Sequence, residues 1–297
     1  VVDHGTADLV RRAKAEEVTT GSEEPEPLPI PWTAAYQTRR ERTLQAAVHD
    51  RDVIARFASR SLLPSGYGRG LDERCVEYPW LISQLPPGPC RLLDAGSTLN
   101  NVLMLDVPSI ADKALHIVTL APEAECHWQR GISYFYEDLR SLPMKDGVYD
   151  VVASISALEH VGCDNTFYTR SAAHAEERPE DFIAAARELV RVLKPGGLLL
   201  VTVPFGVYEH HGAFQQFDRA HLATLEAAVG ATASRALAFY RYAAEGWQLS
   251  TDAESADARY VSWVAEYMRT ARWPDPPLEP DGAAAARAVA CLAVRKE

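Results

Sequence analysis

The sequence predicts an α/β fold, a mainly parallel sheet covered by helices on both faces. Three observations carry that prediction. Short apolar runs recur at residues 90–96, 114–121, 149–156, 197–204, 233–242 and 287–296. Stretches with helical spacing of apolar residues lie between them, and strands alternating with helices imply crossovers that keep neighbouring strands parallel. The clearest helical stretch, "RPEDFIAAARELVRVLK" at 178–194, runs into Pro195-Gly196-Gly197, where a helix C-terminus is expected.

The elements follow in order. Residues 1–85 are read as an N-terminal helical extension or lid, residues 86–297 as the α/β domain. Clustered Pro and Glu in "GSEEPEPLPIPW", residues 21–32, favour an extended linker over a packed element. Residues 33–63 contain no Gly and no Pro and space their apolar side chains by three and four, so helix is expected there. "PSGYGRGLDERCVEYPWLISQLPPGP" then supplies a glycine-rich turn, a short helix and a proline stop. Residues 245–282 are an insertion between the last two strands, with a helix of its own expected at about 256–272. No internal repeat is visible, and the alanine run at 283–286 reads as composition.

A chain of 297 residues can bury a full core. Its 47% apolar and 24% charged content is that of a soluble globular protein. A formal charge of −11 disfavours a sequence-independent grip on nucleic acid, which needs Lys and Arg to replace counterions. Cys75, Cys90, Cys126, Cys163 and Cys291 are odd in number and scattered, without a C-x-x-C pair. That fits free thiols in a reducing compartment better than a disulfide framework or a zinc knuckle. The first residues lack the apolar core of a signal peptide, and the chain opens on Val1, as a trimmed sequence would. No apolar stretch approaches the ~20 residues that cross a bilayer. A soluble cytoplasmic protein is expected, with neither nucleic acid nor membrane as its partner.

The first chemical signal is "RLLDAGSTLNN", Arg91 to Asn101. An apolar run stops at Asp94, and a small-residue turn follows. Such a turn lets backbone approach a ligand at the carboxyl edge of a parallel sheet. The dinucleotide fingerprint G-x-G-x-x-G and the P-loop are both absent. Taken alone, "LLDAGST" is also what a buried strand ending in a turn looks like. Two further segments follow: "EDLRSLPMKDGVYDVVASISALEHVG" at 137–162 and "ELVRVLKPGGLLLVTVPFG" at 188–206. In this order and spacing, roughly over residues 72–204, the chain resembles the class I S-adenosylmethionine-dependent methyltransferases.

The resemblance implies a Rossmann-like sheet of seven strands, mainly parallel, with the last strand antiparallel. S-adenosylmethionine would be the cofactor and S-adenosylhomocysteine its product. Asp94, Ala95, Gly96 and Ser97 correspond to the loop beside the cofactor's amino-acid portion, with Thr98 where the family has a second glycine. Asp138 and Leu139 match the acid and its neighbour that meet the adenine. Ser154, Ile155 and Ser156 end the fourth strand near the methionine part. The family's ribose-binding acid ends the second strand, and in "VTLAPEAE" the nearest acid is Glu123, a few residues late. Arg74 in "GRGLDERCVEYPW" can reach a carboxylate from the lid, or serve as a surface ion-pair partner.

Methyl transfer needs acceptor, methyl and sulfur held in line. A sugar or aliphatic hydroxyl also needs its proton removed, by a His or carboxylate or with a divalent cation. Candidates are Glu159 and His160 after the fourth strand, and His210, His211 and Asp218 in the loop leaving the fifth. Glu159, His160, His211 and Asp218 together offer ligand types suited to a divalent cation such as magnesium. The expected activity is O-methylation of a small molecule, a sugar or another secondary metabolite in bacterial natural-product biosynthesis. A homodimer is within expectation. The alternatives are a SAM-binding scaffold without chemistry and a nicotinamide-dependent oxidoreductase on a similar sheet.

Overall fold

In the computed structural model the described residues are 28–261 and 279–297. Residues 21–27 of the expected linker and most of the helix expected at 256–272 lie outside them. The main sheet contains β1 (Arg91–Ala95), β2 (Ala114–Thr119), β3 (Ser133–Tyr136), β4 (Tyr149–Ile155) and β5 (Leu193–Pro204). It is completed by β8 (Thr232–Ala243), β9 (Gly246–Ser250) and β10 (Ala288–Lys296). A separate two-residue pair, β6 (Glu209–His210) and β7 (Gln215–Gln216), lies in the loop after β5. The strand order is β3-β2-β1-β4-β5-β10-β8-β9. The first five strands are mutually parallel, whereas β10 runs antiparallel between β5 and β8.

The sheet therefore has eight strands, where seven were expected. The additional strand is β9, the start of the insertion after residue 245, folded back on β8 from Ala243↔Gly246 to Phe239↔Ser250. Two contacts fix it there. Gly246 has φ +99°, and a Cβ would lie 2.3 Å from the carbonyl oxygen of Tyr67. The fully buried Trp247 donates its indole N–H to the carbonyl of Leu71 at 3.0 Å.

Alternation along the strands sorts side chains into two cores. Leu92, Val151, Leu200 and Cys291 face one layer, and Leu93, Val152, Leu199 and Leu292 face the other. The first layer is covered by α1 (Ala34–His49), α2 (Arg51–Ser59) and α3 (Arg74–Gln84). The second is covered by α4 (Phe182–Val192) and α5 (Arg219–Val229). The helix expected over 33–63 is two helices because Asp50 breaks it. Its carboxylate accepts from the N–H groups of Asp52 and Val53, capping α2 while α1 ends. Arg40 of α1 donates to Asp72 at 2.6 Å, fixing the entry to α3.

Chain order reverses between β1 and β4, so the turns leaving their carboxyl ends diverge and open a crevice. That crevice positions the site.

Candidate active site

Two turns build the crevice floor. Gly96, just after β1, has φ +121°, and a Cβ there would stand 2.3 Å from the Cβ of Ala157. Only glycine lets the turn after β1 pass so close to the turn after β4. Ser97 (φ +63°) and Ser156 (φ +43°) occupy the left-handed region on the two sides, a conformation that serine adopts only under tertiary constraint. Asp94 is buried and accepts from the N–H of Leu99 at 2.8 Å, closing the first turn. Burial pushes its carboxyl pKa up to about 7. Thr98 donates its hydroxyl to the carbonyl of Ile155 at 2.6 Å, linking one turn to the other.

Above this floor lies a cavity of about 560 Å³, lined among others by Arg74, Gly96, Ser97, Glu123, Asp138 and Leu139, and by Ser156 and His160. The late acid is on the wall: Asn100 donates to Glu123 at 2.8 Å, and Tyr134 donates to Asn100 at 2.8 Å. Asp138 is gripped by Arg140, whose guanidinium also holds Glu176 and Asp181. Its pKa is lowered because the hydrogen bonds and charge of Arg140 outweigh the opposing desolvation. Asp94 and Ala95 brace the loop from behind the wall. Ser154 and Ile155, expected at the cofactor, are fully buried and absent from the lining; the Ile155 carbonyl is engaged by Thr98.

His160 also lines the cavity. Its Nδ1 lies 2.8 Å from the carbonyl oxygen of Ala213, which can only accept, so Nδ1 carries the proton and Nε2 keeps its lone pair. Burial lowers the ring's pKa to about 4, so it is neutral near pH 7. Glu159 is 3% exposed, with Oε2 lacking any partner among the described residues. Desolvation, aided by the charge of Glu77, raises its pKa to about 8.

Residues 110–201 match the model of a methyltransferase domain family. The match begins just before β2 and runs through β5, taking in Glu123, Asp138, Ser156 and His160. Over that segment the chain is similar to a methyltransferase domain. No curated protein sequence matches the chain significantly. Among solved structures, it is similar to a SAM-dependent methyltransferase from Thermotoga maritima described as a possible histamine N-methyltransferase, at 15% identity and TM-score 0.43, over 73% of this chain and 86% of that one. A Burkholderia thailandensis 1,6-didemethyltoxoflavin N1-methyltransferase, solved with S-adenosylhomocysteine, is 14% identical over 100% of this chain and 91% of that one, at TM-score 0.41. The [4+2]-cyclase SpnF is 19% identical over 91% of this chain and 98% of that one, also at 0.41.

The remaining expected residues go elsewhere. His210 is exposed and hydrogen-bonds the N–H of Gly212. His211 stacks on Phe214 and packs against Tyr260, with its buried Nε2 3.7 Å from a carboxylate oxygen of Glu209, and is absent from the cavity lining. Asp218 caps α5 and bonds Nδ1 of His221 at 2.7 Å. Glu159, His160, His211 and Asp218 therefore do not form the expected cation site, because helix capping and ring packing hold two of them apart from the cavity. Among the described residues no group of three or more His, Cys, Asp or Glu side chains is placed to hold a metal ion. No described helix is long and apolar enough to cross a membrane.

Sequence reasoning missed several contributors. Glu77 of α3, fully buried, accepts from Ser156 at 2.5 Å and Thr202 at 2.7 Å, and is paired with Arg74. It ties the N-terminal extension to the ends of β4 and β5. Asn165, Thr169, His174 and Glu176 line the cavity from the loop between β4 and α4. The polar run "DNTFYTRSAAHAE" at 164–176 was their one visible signal.

Proposed function

We propose that this methyltransferase transfers a methyl group to a hydroxyl of a small molecule, a sugar or another secondary-metabolite acceptor, with His160 as general base. The observation that carries this reading is the fixed state of His160. Its proton points at Ala213, and its Nε2 lone pair belongs to a residue on the cavity wall. An alkyl hydroxyl needs such an acceptor for its proton, whereas a neutral amine does not.

The residues around the cavity fit S-adenosylmethionine. Glu123, anchored by Asn100 and otherwise exposed, offers a carboxylate for a ribose diol. Asp138 offers an acceptor for an adenine amino group, and Arg74 a cation for the amino-acid carboxylate. The hydroxyl of Ser97 is buried beside the cavity without a partner of its own. When bound, S-adenosylmethionine would supply an electrophilic methyl group for the acceptor oxygen and would leave as S-adenosylhomocysteine. His160 takes the hydroxyl proton at Nε2 and later releases it to solvent. Gly96 and Ala157 set the closeness of the two turns, and so the line along which the groups meet. The setting proposed is bacterial natural-product biosynthesis.

Calorimetry with S-adenosylhomocysteine tests the cofactor half of the proposal. Micromolar-scale binding is expected. Neither heat nor a thermal shift at millimolar ligand overturns it.

A further inference from the structure

The carboxylate of Glu77, fully buried in α3, links the strand ends to the cavity wall. Its Oε1 accepts from the hydroxyls of Ser156, just after β4, at 2.5 Å and of Thr202 in β5 at 2.7 Å. Thr202 in turn accepts from the backbone N–H of Ser156 at 3.1 Å, which helps hold that serine at its φ of +43°. Oε2 of Glu77 is paired with the guanidinium of Arg74, three residues earlier and so on the same face of the helix. Among the described residues that line the cavity, Arg74 is the only one that precedes β1. Its side chain is 21% exposed, and Glu77 is the one hydrogen-bond partner of its guanidinium among the described residues.

Stability alone does not account for this arrangement. Taking a carboxylate and a guanidinium out of water costs about as much as their attraction returns, and packed apolar side chains in their place often serve a fold equally well. Apolar side chains cannot, however, hold a cation at a set point beside a cavity. Two hydroxyls at the strand ends clamp Oε1, so Oε2 is placed relative to the cavity floor, and the guanidinium of Arg74 takes its place from Oε2. A long side chain without such an anchor would have to give up its rotational freedom each time a ligand bound.

Building on the reading of the cavity as a site for S-adenosylmethionine, we infer that Glu77 is a positioning residue that holds Arg74 in place for the carboxylate of the cofactor's amino-acid end. Glu77 itself touches no ligand. It passes the position of the strand ends to a residue of the N-terminal extension, which makes the extension part of the cofactor site. A nucleoside that lacks the carboxylate gains nothing from the anchored guanidinium.

The test compares two ligands by calorimetry on the full chain. 5′-Methylthioadenosine carries the nucleoside and sulfur of S-adenosylhomocysteine without its amino-acid group, and the quantity read is the ratio of the two affinities. Glu77→Asp keeps the negative charge beside Arg74 but is one methylene too short to reach both the two hydroxyls and the guanidinium. It should weaken S-adenosylhomocysteine by about tenfold or more and 5′-methylthioadenosine by no more than about twofold, since a hydrogen bond between charged groups is at stake for the first ligand only. With Arg74→Met already in place, Glu77→Asp should leave the ratio where it is. Equal losses for the two ligands, or an unchanged ratio, would mean that Glu77 only supports the fold, and overturn the inference. Should Glu77→Asp not fold, Thr202→Val, a change away from the cavity that removes one clamp on Oε1, should lower the ratio about threefold; no change there overturns the inference as well. If the wild type binds both ligands equally, Arg74 holds no carboxylate and the inference fails while the nucleoside site stands. If it binds neither, the reading of the cavity has failed and the inference falls with it.

Discussion

The hydroxyl of Thr98 donates to the carbonyl oxygen of Ile155 across 2.6 Å, joining the turn after β1 to the end of β4. The family resemblance places a glycine here, which cannot form this bond. Thr98 thus exchanges backbone freedom for a cross-strand tie. Thr98→Gly should lower stability by about 1–2 kcal/mol, from the lost bond and the added freedom of the unfolded chain. Weaker binding of S-adenosylhomocysteine should accompany it. Thr98→Ser should recover most of both. Thermal melts and calorimetry on the two variants check this, and a glycine variant that matches wild type removes the bond from the account.

Gly96 and Gly88 both have positive φ, but their surroundings differ. A Cβ at Gly88 would meet nothing within 4 Å, whereas one at Gly96 would meet Ala157 at 2.3 Å. Gly88→Ala therefore carries only the backbone cost, about 1 kcal/mol. Gly96→Ala must also push the two turns apart, costing about 3 kcal/mol or more. It should abolish binding of S-adenosylhomocysteine, as calorimetry on the two variants would register. Comparable losses in both would mean that the close approach at Ala157 is unimportant.

Strand candidates with apolar runs were readable because burial on both faces demands them: β1, β2, β4, β5, β8 and β10 each appear within about two residues of expectation or extend it. The four-residue β3 and the strand at Gly246–Ser250 were not readable. Their side chains are half exposed or mixed, and their pairing depends on neighbours far along the chain. The cavity-lining residues Gly96, Ser97, Glu123, Asp138 and Ser156 were legible through the family resemblance, whose motifs are local in sequence. His160 was legible as one of a pair, but nothing local said that its partner Glu159 faces inward. The expected role of His211 rested on composition of a loop, and ring packing against Phe214 and Tyr260 decides its position instead. Glu77 was invisible for the opposite reason: its partners, Ser156 just after β4 and Thr202 of β5, are 79 and 125 residues away.

Glu159 carries a pH signature. Desolvation raises its folded pKa from an ordinary carboxyl value to about 8. The folded state then holds a proton that the unfolded chain has already released, so this site favours folding below about pH 4.5 and the benefit is lost as pH rises to about 8. Glu159→Gln keeps the neutral form at every pH. It should leave the melting temperature near pH 5 almost unchanged and raise it at pH 8, by an amount corresponding to about 1–3 kcal/mol. Paired melts at the two pH values settle the matter. A variant destabilised equally at both would show that Glu159 is needed as a carboxylate.

His160 should behave unlike an ordinary histidine. With its pKa held near 4 by burial, Nε2 stays unprotonated through the range where a solvent-exposed imidazole would titrate. Turnover on a hydroxyl acceptor should therefore show no loss centred near pH 6.5 as the solution is acidified from pH 7.5 to about 5. If His160 is the proposed base, His160→Ala should reduce kcat by about 10²–10⁴ while changing affinity for S-adenosylhomocysteine only a few-fold. His211→Ala, by contrast, removes a ring from the stack with Phe214 and Tyr260 and should lower the melting temperature more than it lowers kcat. The reverse pattern, with turnover falling at His211 and surviving at His160, would transfer the base from the loop after β4 to the loop after β5.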